Sequence, residues 1–221
     1  VVVPVREDGS KMPDLPTWKE FQQRQPTREE LRTWFKDRPD RRGLGFLTGA
    51  VSGNLELLEF DDRDAVVRFK AACVEHGLYD LYKRIEMGYI EETPGGGIHL
   101  LYRVAAPGVP LKNTKLARKP CPGAPECTKH PAGKPHVLIE TRGEGGFVVV
   151  APSAGAVHET GGAYVLRGQG IEHIATITEE ERDALFALAQ SFDELPREAE
   201  RGPRPVMRSD ELAGDRPGDA W

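Results

Sequence analysis

Leu57-Leu58-Glu59-Phe60-Asp61 is the stretch of this chain on which the fold and the chemistry both turn. An apolar run delivers two carboxylates at i and i+2, and the two-residue period of a strand puts both on one face. Ionised carboxylates taken together out of water lose hydration and repel each other unless a cation shares them. Oxygen donors of this kind suit Mg²⁺ or Mn²⁺. Downstream, Thr93-Pro94-Gly95-Gly96-Gly97-Ile98-His99 is a glycine turn running into a strand. Val137-Leu138-Ile139-Glu140-Thr141-Arg142-Gly143 is a second apolar strand carrying a carboxylate. Acid-x-acid, Gly-Gly-x-His and a strand-borne Glu, in that order, point to a divalent-metal nucleotidyl-transfer site.

Each element also has a plainer explanation. Glu59 and Asp61 would face solvent at a strand end, while Asp61, Asp62 and Asp64 would favour the N-terminus of the following helix through its dipole. Asp62 points to the opposite face if the strand continues, and Asp64 is the better N-cap, which leaves Glu59 and Asp61 as the metal candidates. Ahead of His99, glycines at Gly96 and Gly97 let a phosphate or sugar approach the backbone closely. His99 would then donate a hydrogen bond to the nucleotide. Glu140 is either a third metal-site carboxylate or the partner of Arg142, two residues on and on the same face. In the first case Arg142 meets a phosphate.

Working outward, Val1 to Val5 reads as a buried strand, with a polar turn over Glu7 to Ser10. Thr27-Arg28-Glu29-Glu30 is a capping box ahead of a helical face of Leu31, Trp34 and Phe35, stopped by Pro39 to Gly43. Leu44 to Thr48 and Leu55 to Phe60 read as strands joined by a turn at Ser52-Gly53. Asp64 opens a helix with apolar positions Val66, Phe69 and Cys73, closed by Gly77. Ile98 to Val104, His136 to Glu140 and Gly146 to Ala151 are further strands. Thr178-Glu179-Glu180-Glu181 caps a last helix with Leu185, Phe186, Leu188, Ala189 and Phe192 on its apolar face. From Pro196 onward Arg, Glu, Pro and Gly dominate, so 196–221 reads as a linker or disordered tail. The fold class expected is α+β, in one domain over 1–195.

The segment from Lys112 to Pro135 reads as an insertion. Lys112, Lys115, Arg118 and Lys119 form a basic run beside Cys121, Cys127, His130 and His136. The spacing Cys-x5-Cys-x2-His-x5-His is a loose zinc pattern, and a Pro/Gly-rich loop with free thiols is its alternative. Cys73 sits on the helix face as a core residue.

Bulk properties set the frame. A chain of 221 residues with 38% hydrophobic and 29% charged residues can bury a core and keep a polar surface. A run of about 18 apolar residues, the length a membrane span needs, does not occur, and no signal peptide is visible. Three cysteines make no disulfide framework, which fits a reducing cytosol. The net charge of -5 neither supports nor excludes a nucleic-acid partner, because local charge decides. The start Val-Val-Val-Pro-Val, without Met, reads as a fragment or processed chain.

Taken together, these motifs resemble the N-terminal primase-polymerase (Prim-Pol) domain of the archaeo-eukaryotic primase superfamily, of the kind found in mobile elements and phages. The resemblance runs from Val3-Pro4-Val5, Lys11-Met12-Pro13 and Trp18 through Gly45-Phe46-Leu47-Thr48-Gly49 and Ser52-Gly53 to Leu58-Glu59-Phe60-Asp61. It continues through Thr93 to His99, Ile139-Glu140-Thr141-Arg142-Gly143, Gly145-Gly146, Ala151-Pro152-Ser153 and Gly162-Ala163-Tyr164. It implies an RRM-like catalytic half packed on a smaller N-terminal α/β half, with the cleft between them and a first helix upstream of Val1.

By resemblance, Glu59 and Asp61 match the family's acid-x-acid motif, His99 its small-x-His motif and Glu140 its third acidic motif. The family usually has Asp where this chain has Glu59, and the extra methylene shifts metal geometry or preference. Ser153, His158 and Tyr164 match a region near its nucleotide pocket. The implied partners are a single-stranded DNA template, a primer and dNTP or NTP, and a helicase domain beyond the linker that starts near Pro217-Gly218-Asp219. Lys112, Lys115, Arg118 and Lys119 would track the template through its phosphates. The implied cofactors are Mg²⁺ or Mn²⁺, with zinc at the cysteine loop. Two other functions compete: a non-catalytic nucleotide or single-stranded DNA binding module, favoured by Glu59, and a metal-dependent nuclease, which lacks a general base and leaves the glycine turn unexplained.

Overall fold

The computed structural model describes residues 1–61, 63–127, 130 and 132–195. The tail expected over 196–221 and the expected counterpart of the acidic pair at Asp62 lie outside the described residues. In chain order the strands are β1 (Val2–Pro4), β2 (Leu44–Leu47), β3 (Leu55–Phe60), β4 (Ile90–Glu92), β5 (Ile98–Val104), β6 (Thr114–Lys119), β7 (His136–Arg142), β8 (Phe147–Val149), β9 (Val165–Leu166) and β10 (Thr176–Ile177). The helices are α1 (Arg28–Leu31), α2 (Arg63–Glu75), α3 (Tyr79–Gly88) and α4 (Glu179–Gln190). Mostly antiparallel sheets with helices set between strands make this an α+β fold.

The quoted stretch forms β3, which lies inside the larger sheet, ordered β6-β7-β3-β5-β4-β9, with β10 joining β5 in parallel. A strand flanked on both sides must present apolar residues to whatever covers each face, and β3 does so with alternate residues. Leu58 and Phe60 face the helices, where Phe69 of α2 meets Phe60 at 5.1 Å between ring centres. Leu55 and Leu57 face the other way, onto Phe46 and Val148 of the smaller sheet β1-β2-β8 and Val150 just past β8. Glu59, next on that second face, comes where the apolar contact between the sheets gives way to a cleft.

On the helix face, Glu56 is fully buried yet satisfied. It accepts from the Tyr102 hydroxyl at 2.9 Å and from Arg182 of α4 at 2.6 and 2.8 Å. That bond set ties α4 to the centre of the sheet. α4 itself starts at the expected capping box, with Thr178 and Glu181 bonded reciprocally, and buries Leu185, Leu188 and Ala189.

Three parts of the chain differ from what the pattern suggests. The capping box at Thr27 forms, but α1 lasts one turn before widening into a π-helical turn over Arg32–Lys36 that sets Trp34 edge-on against Phe21. The stretch from Tyr79 to Glu92, unassigned by pattern, is α3 and β4. The supposed insertion contains β6, which pairs with β7 through register shifts on either side of Ala117. Those bulges bury Leu116 and Ala117 in succession, which erases the alternation that marks a strand. Among the described residues no helix is long and apolar enough to cross a membrane.

Candidate active site

Strand register builds the site. Lys115 pairs with Glu140, Glu140 with Glu59, Glu59 with His99, and His99 with Glu91. Residues opposite one another on neighbouring strands share a face, so one row perpendicular to the strands carries a cation, two acids, a histidine and a third acid. The cleft between this row and β8 has a volume of about 440 Å³, within the range of small-molecule sites. Its walls include Glu59, Asp61, His99 and Arg142 from the expected set.

The charges in the row set one another. Burial pushes the Glu59 carboxyl up, but the hydrogen bond and charge of His99, then Arg142 and Lys11, outweigh it and hold it below the ordinary range. Glu140 goes the other way: burial raises it, Glu59 and Asp61 add to that, and Arg142 and Lys115 compensate only in part. His99 is buried, which works against its charge, yet Glu59 and Glu91 raise it to about 9. Its Nε2 is 3.5 Å from Glu59 and its Nδ1 is 2.7 Å from Glu91. Of Glu59 and Glu140, the latter is the carboxylate left short of positive charge, the condition that a divalent cation relieves.

The hard oxygen donors of Glu59, Asp61 and Glu140 fit Mg²⁺ or Mn²⁺ in type. They are not drawn into one tight cluster: Glu59 is turned to His99, and Glu140 forms an ion pair with Arg142. Arg142 pairs with Glu140 and also lines the cleft.

The glycine turn is shaped by β3. Gly96 has φ +88°, a left-handed conformation that glycine adopts without strain. A Cβ on Gly97 would meet the carbonyl oxygen of Phe60 at 2.6 Å, so the turn packs directly on the strand end that carries Asp61. Thr93 closes it, its Oγ1 accepting from the Gly97 amide at 3.0 Å. Gly95 and Gly97 line the cleft, whereas Gly96 supplies the bend and is not among the wall residues.

Three further wall residues, Lys11, His158 and Tyr164, come from segments that the resemblance covers but to which it gives no role. Lys11, at φ 56°, reaches the cleft from a hairpin closed by an Arg6 amide to Met12 carbonyl bond of 2.9 Å and a bridge between Ser10 and His158. His158 shares a hydrogen with Thr160 Oγ1 at 2.9 Å, and burial followed by the Lys11 charge lowers its proton affinity. Tyr164 stands between the two histidines, 6.0 Å from His99 and 6.1 Å from His158. Ser153, by contrast, fastens β2, accepting from the Leu44 amide and donating to the Leu44 carbonyl.

Of the basic run, Lys112 and Lys115 are exposed beside the row, while Arg118 is committed to Asp193 at 3.0 Å. Beyond the end of β6, the donor atoms of Cys121, Cys127 and His136 lie within 4.8 Å of one another, the tightest such trio among the described residues. The Gly123 amide donates to the Cys121 sulfur at 3.5 Å, and the His130 amide to the Cys127 sulfur at 3.3 Å. The His130 ring stacks 4.4 Å from that of His136 and leaves its buried Nδ1 without a partner. Two sulfurs and the His136 imidazole, with backbone donors to both sulfurs, are donors of a type that fits zinc; His130 stacks beside this trio and is not part of it.

The family model described as Prim-Pol, bifunctional DNA primase/polymerase, N-terminal, matches residues 1–180. Among curated proteins no match is found.

Proposed function

Because the chain belongs to the Prim-Pol family, whose business is DNA priming and polymerisation, we propose that it is a template-dependent DNA primase-polymerase that joins nucleoside triphosphates to a 3′-OH by two-metal nucleotidyl transfer. The observation that carries this is the in-register row of Glu140, Glu59 and His99, of which Glu59 and His99 line the cleft together with Asp61, while Glu140 is not among its lining residues. The two sheets enclosing that cleft support the expected architecture, an RRM-like half packed on a smaller N-terminal half.

Glu59, Asp61 and Glu140 would hold Mg²⁺ or Mn²⁺, which when bound lowers the barrier by stabilising charge on the attacking and leaving oxygens. Around them His99, Lys11 and Arg142 supply positive charge or donors for a triphosphate. Phe147, Val148 and Val149 line one side of the cleft and would give the base and sugar an apolar wall. Lys112 and Lys115, both exposed, would meet the template backbone.

The deciding experiment is primer extension on a single-stranded template with Mg²⁺ or Mn²⁺ and either dNTPs or NTPs. Nucleotide or single-stranded DNA bound without extension would assign a binding module instead. Within the reading, Lys11→Ala raises KM for the incoming triphosphate by about tenfold or more, the worth of a charge-assisted contact. Its primer-template affinity stays at the wild-type value, and an unchanged KM removes Lys11 from the site.

We also propose that Cys121, Cys127, His130 and His136 hold a structural zinc ion. Elemental analysis should find zinc equimolar with wild-type chain and a strongly reduced content in Cys127→Ser. Zinc absent from both would leave a loop with free thiols.

A further inference from the structure

Glu91 lies in the middle of β4, fully buried, and no step proposed above uses it. A carboxylate withheld from water has to have its oxygens satisfied by donors. Here three converge on it. Oε1 is 2.7 Å from His99 Nδ1, and Oε2 accepts from the Tyr89 hydroxyl at 2.8 Å and from the Ala151 amide at 2.7 Å. The Tyr89 side chain is itself packed between the two sheets, so one end of this arrangement is fixed by the core.

Two consequences follow for the cleft. With Nδ1 engaged, His99 has only Nε2 to present to Glu59 and to a ligand; register places His99 beside Glu59, but the Glu91 bond sets the angle of the ring. The Ala151 amide, meanwhile, belongs to the segment that leaves β8 and leads to His158 and Tyr164 on the opposite wall. One carboxylate therefore grips both sides. We propose that Glu91 is a positioning residue, which aims His99 into the cleft through one oxygen and fixes the spacing of the facing wall through the other. This rests on the cleft being the nucleotide site.

The test is Glu91→Gln, an isosteric change that places an amide NH₂ where only acceptors fit. One of the three contacts becomes donor against donor. The expected result is a fall in kcat of about 10–100-fold, the usual effect of losing an outer-shell orienting group, with primer-template affinity unchanged. In a double-mutant cycle with His99→Ala, the loss caused by Glu91→Gln should shrink to the smaller part that passes through the Ala151 contact, because the rest of its effect passes through the imidazole. Independent, multiplying losses would show a general structural role and overturn the proposal, as would full activity in the single variant. The ¹⁵N resonances of the His99 ring give a readout free of turnover: the signal of Nδ1, which contacts Glu91 in the wild type, should shift in the variant.

Calorimetric titration with Mg²⁺ and a triphosphate separates this proposal from the polymerase reading. Binding that depends on Glu91 in a protein that extends no primer keeps the positioning role and rejects the polymerase. Extension that is indifferent to Glu91 does the reverse. If Glu91→Gln does not fold, Glu91→Asp keeps the charge and withdraws it by one methylene, and the same cycle is run with it.

Discussion

Asp61→Asn should abolish primer extension, by at least about 10³-fold, or roughly 4 kcal/mol of barrier, in a protein that remains folded. The two halves of that expectation have different origins. Asp61 is exposed just past the end of β3, and its backbone amide bonds to the Leu138 carbonyl at 3.0 Å whatever side chain it carries. The substitution therefore removes a charge and, on the proposed reading, a metal-ligand oxygen, while that backbone bond stays in place. Its negative charge is one of those that raise the Glu140 carboxyl. The wild type should gain thermal stability on adding Mg²⁺ or Mn²⁺, by linkage to the folded state. Asp61→Asn should lose most of that gain. Undiminished extension, or an ion-dependent melting shift equal to that of the wild type, would remove Asp61 from the metal site.

The largest effect on stability is expected at a position far from the chemistry. Arg182→Met should destabilise the fold by about 3–5 kcal/mol, the penalty for breaking a buried ion pair and stranding one partner. The stranded group is Glu56, which has no exposure and depends on Arg182 for two of its three hydrogen bonds. In a chain of this size that corresponds to a fall in melting temperature of roughly 6–20 °C. Adding Glu56→Gln to the same chain should restore a large part of the loss, because the amide has no charge to strand. A variant that melts within 2 °C of the wild type, about the effect of a surface substitution, would mean that water reaches Glu56.

The parts of this protein that pattern discloses are those decided locally. Glu59 and Asp61 share a face because strands alternate, and both capping boxes form because their partners are three residues apart. What strands do to one another is less visible. Nothing within β3 or β7 alone says that Glu59 and Glu140 are paired. Ile-Glu-Glu at β4 has the composition of a solvated edge, and Glu91 is buried only because Tyr89, His99 and Ala151 converge on it from elsewhere. Lys11 is brought to the cleft by a hairpin far away in sequence. The cysteine loop shows the same effect in reverse. Its spacing is loose for zinc, but the pairing of Lys119 with His136 closes the two strands at the base of the loop, so distance along the chain no longer measures distance in space.

A site laid out as a row across five strands has a bearing on how preparations of this protein behave. A slip of one residue between neighbouring strands would exchange Glu140 for Ile139 or Thr141 opposite Glu59 and turn the acid toward the helices. Such a molecule would keep its strand content and lose its chemistry entirely. Specific activity is then a proofreading assay for strand pairing: a refolded sample at half strength holds half its molecules in register, not all of them working at half speed.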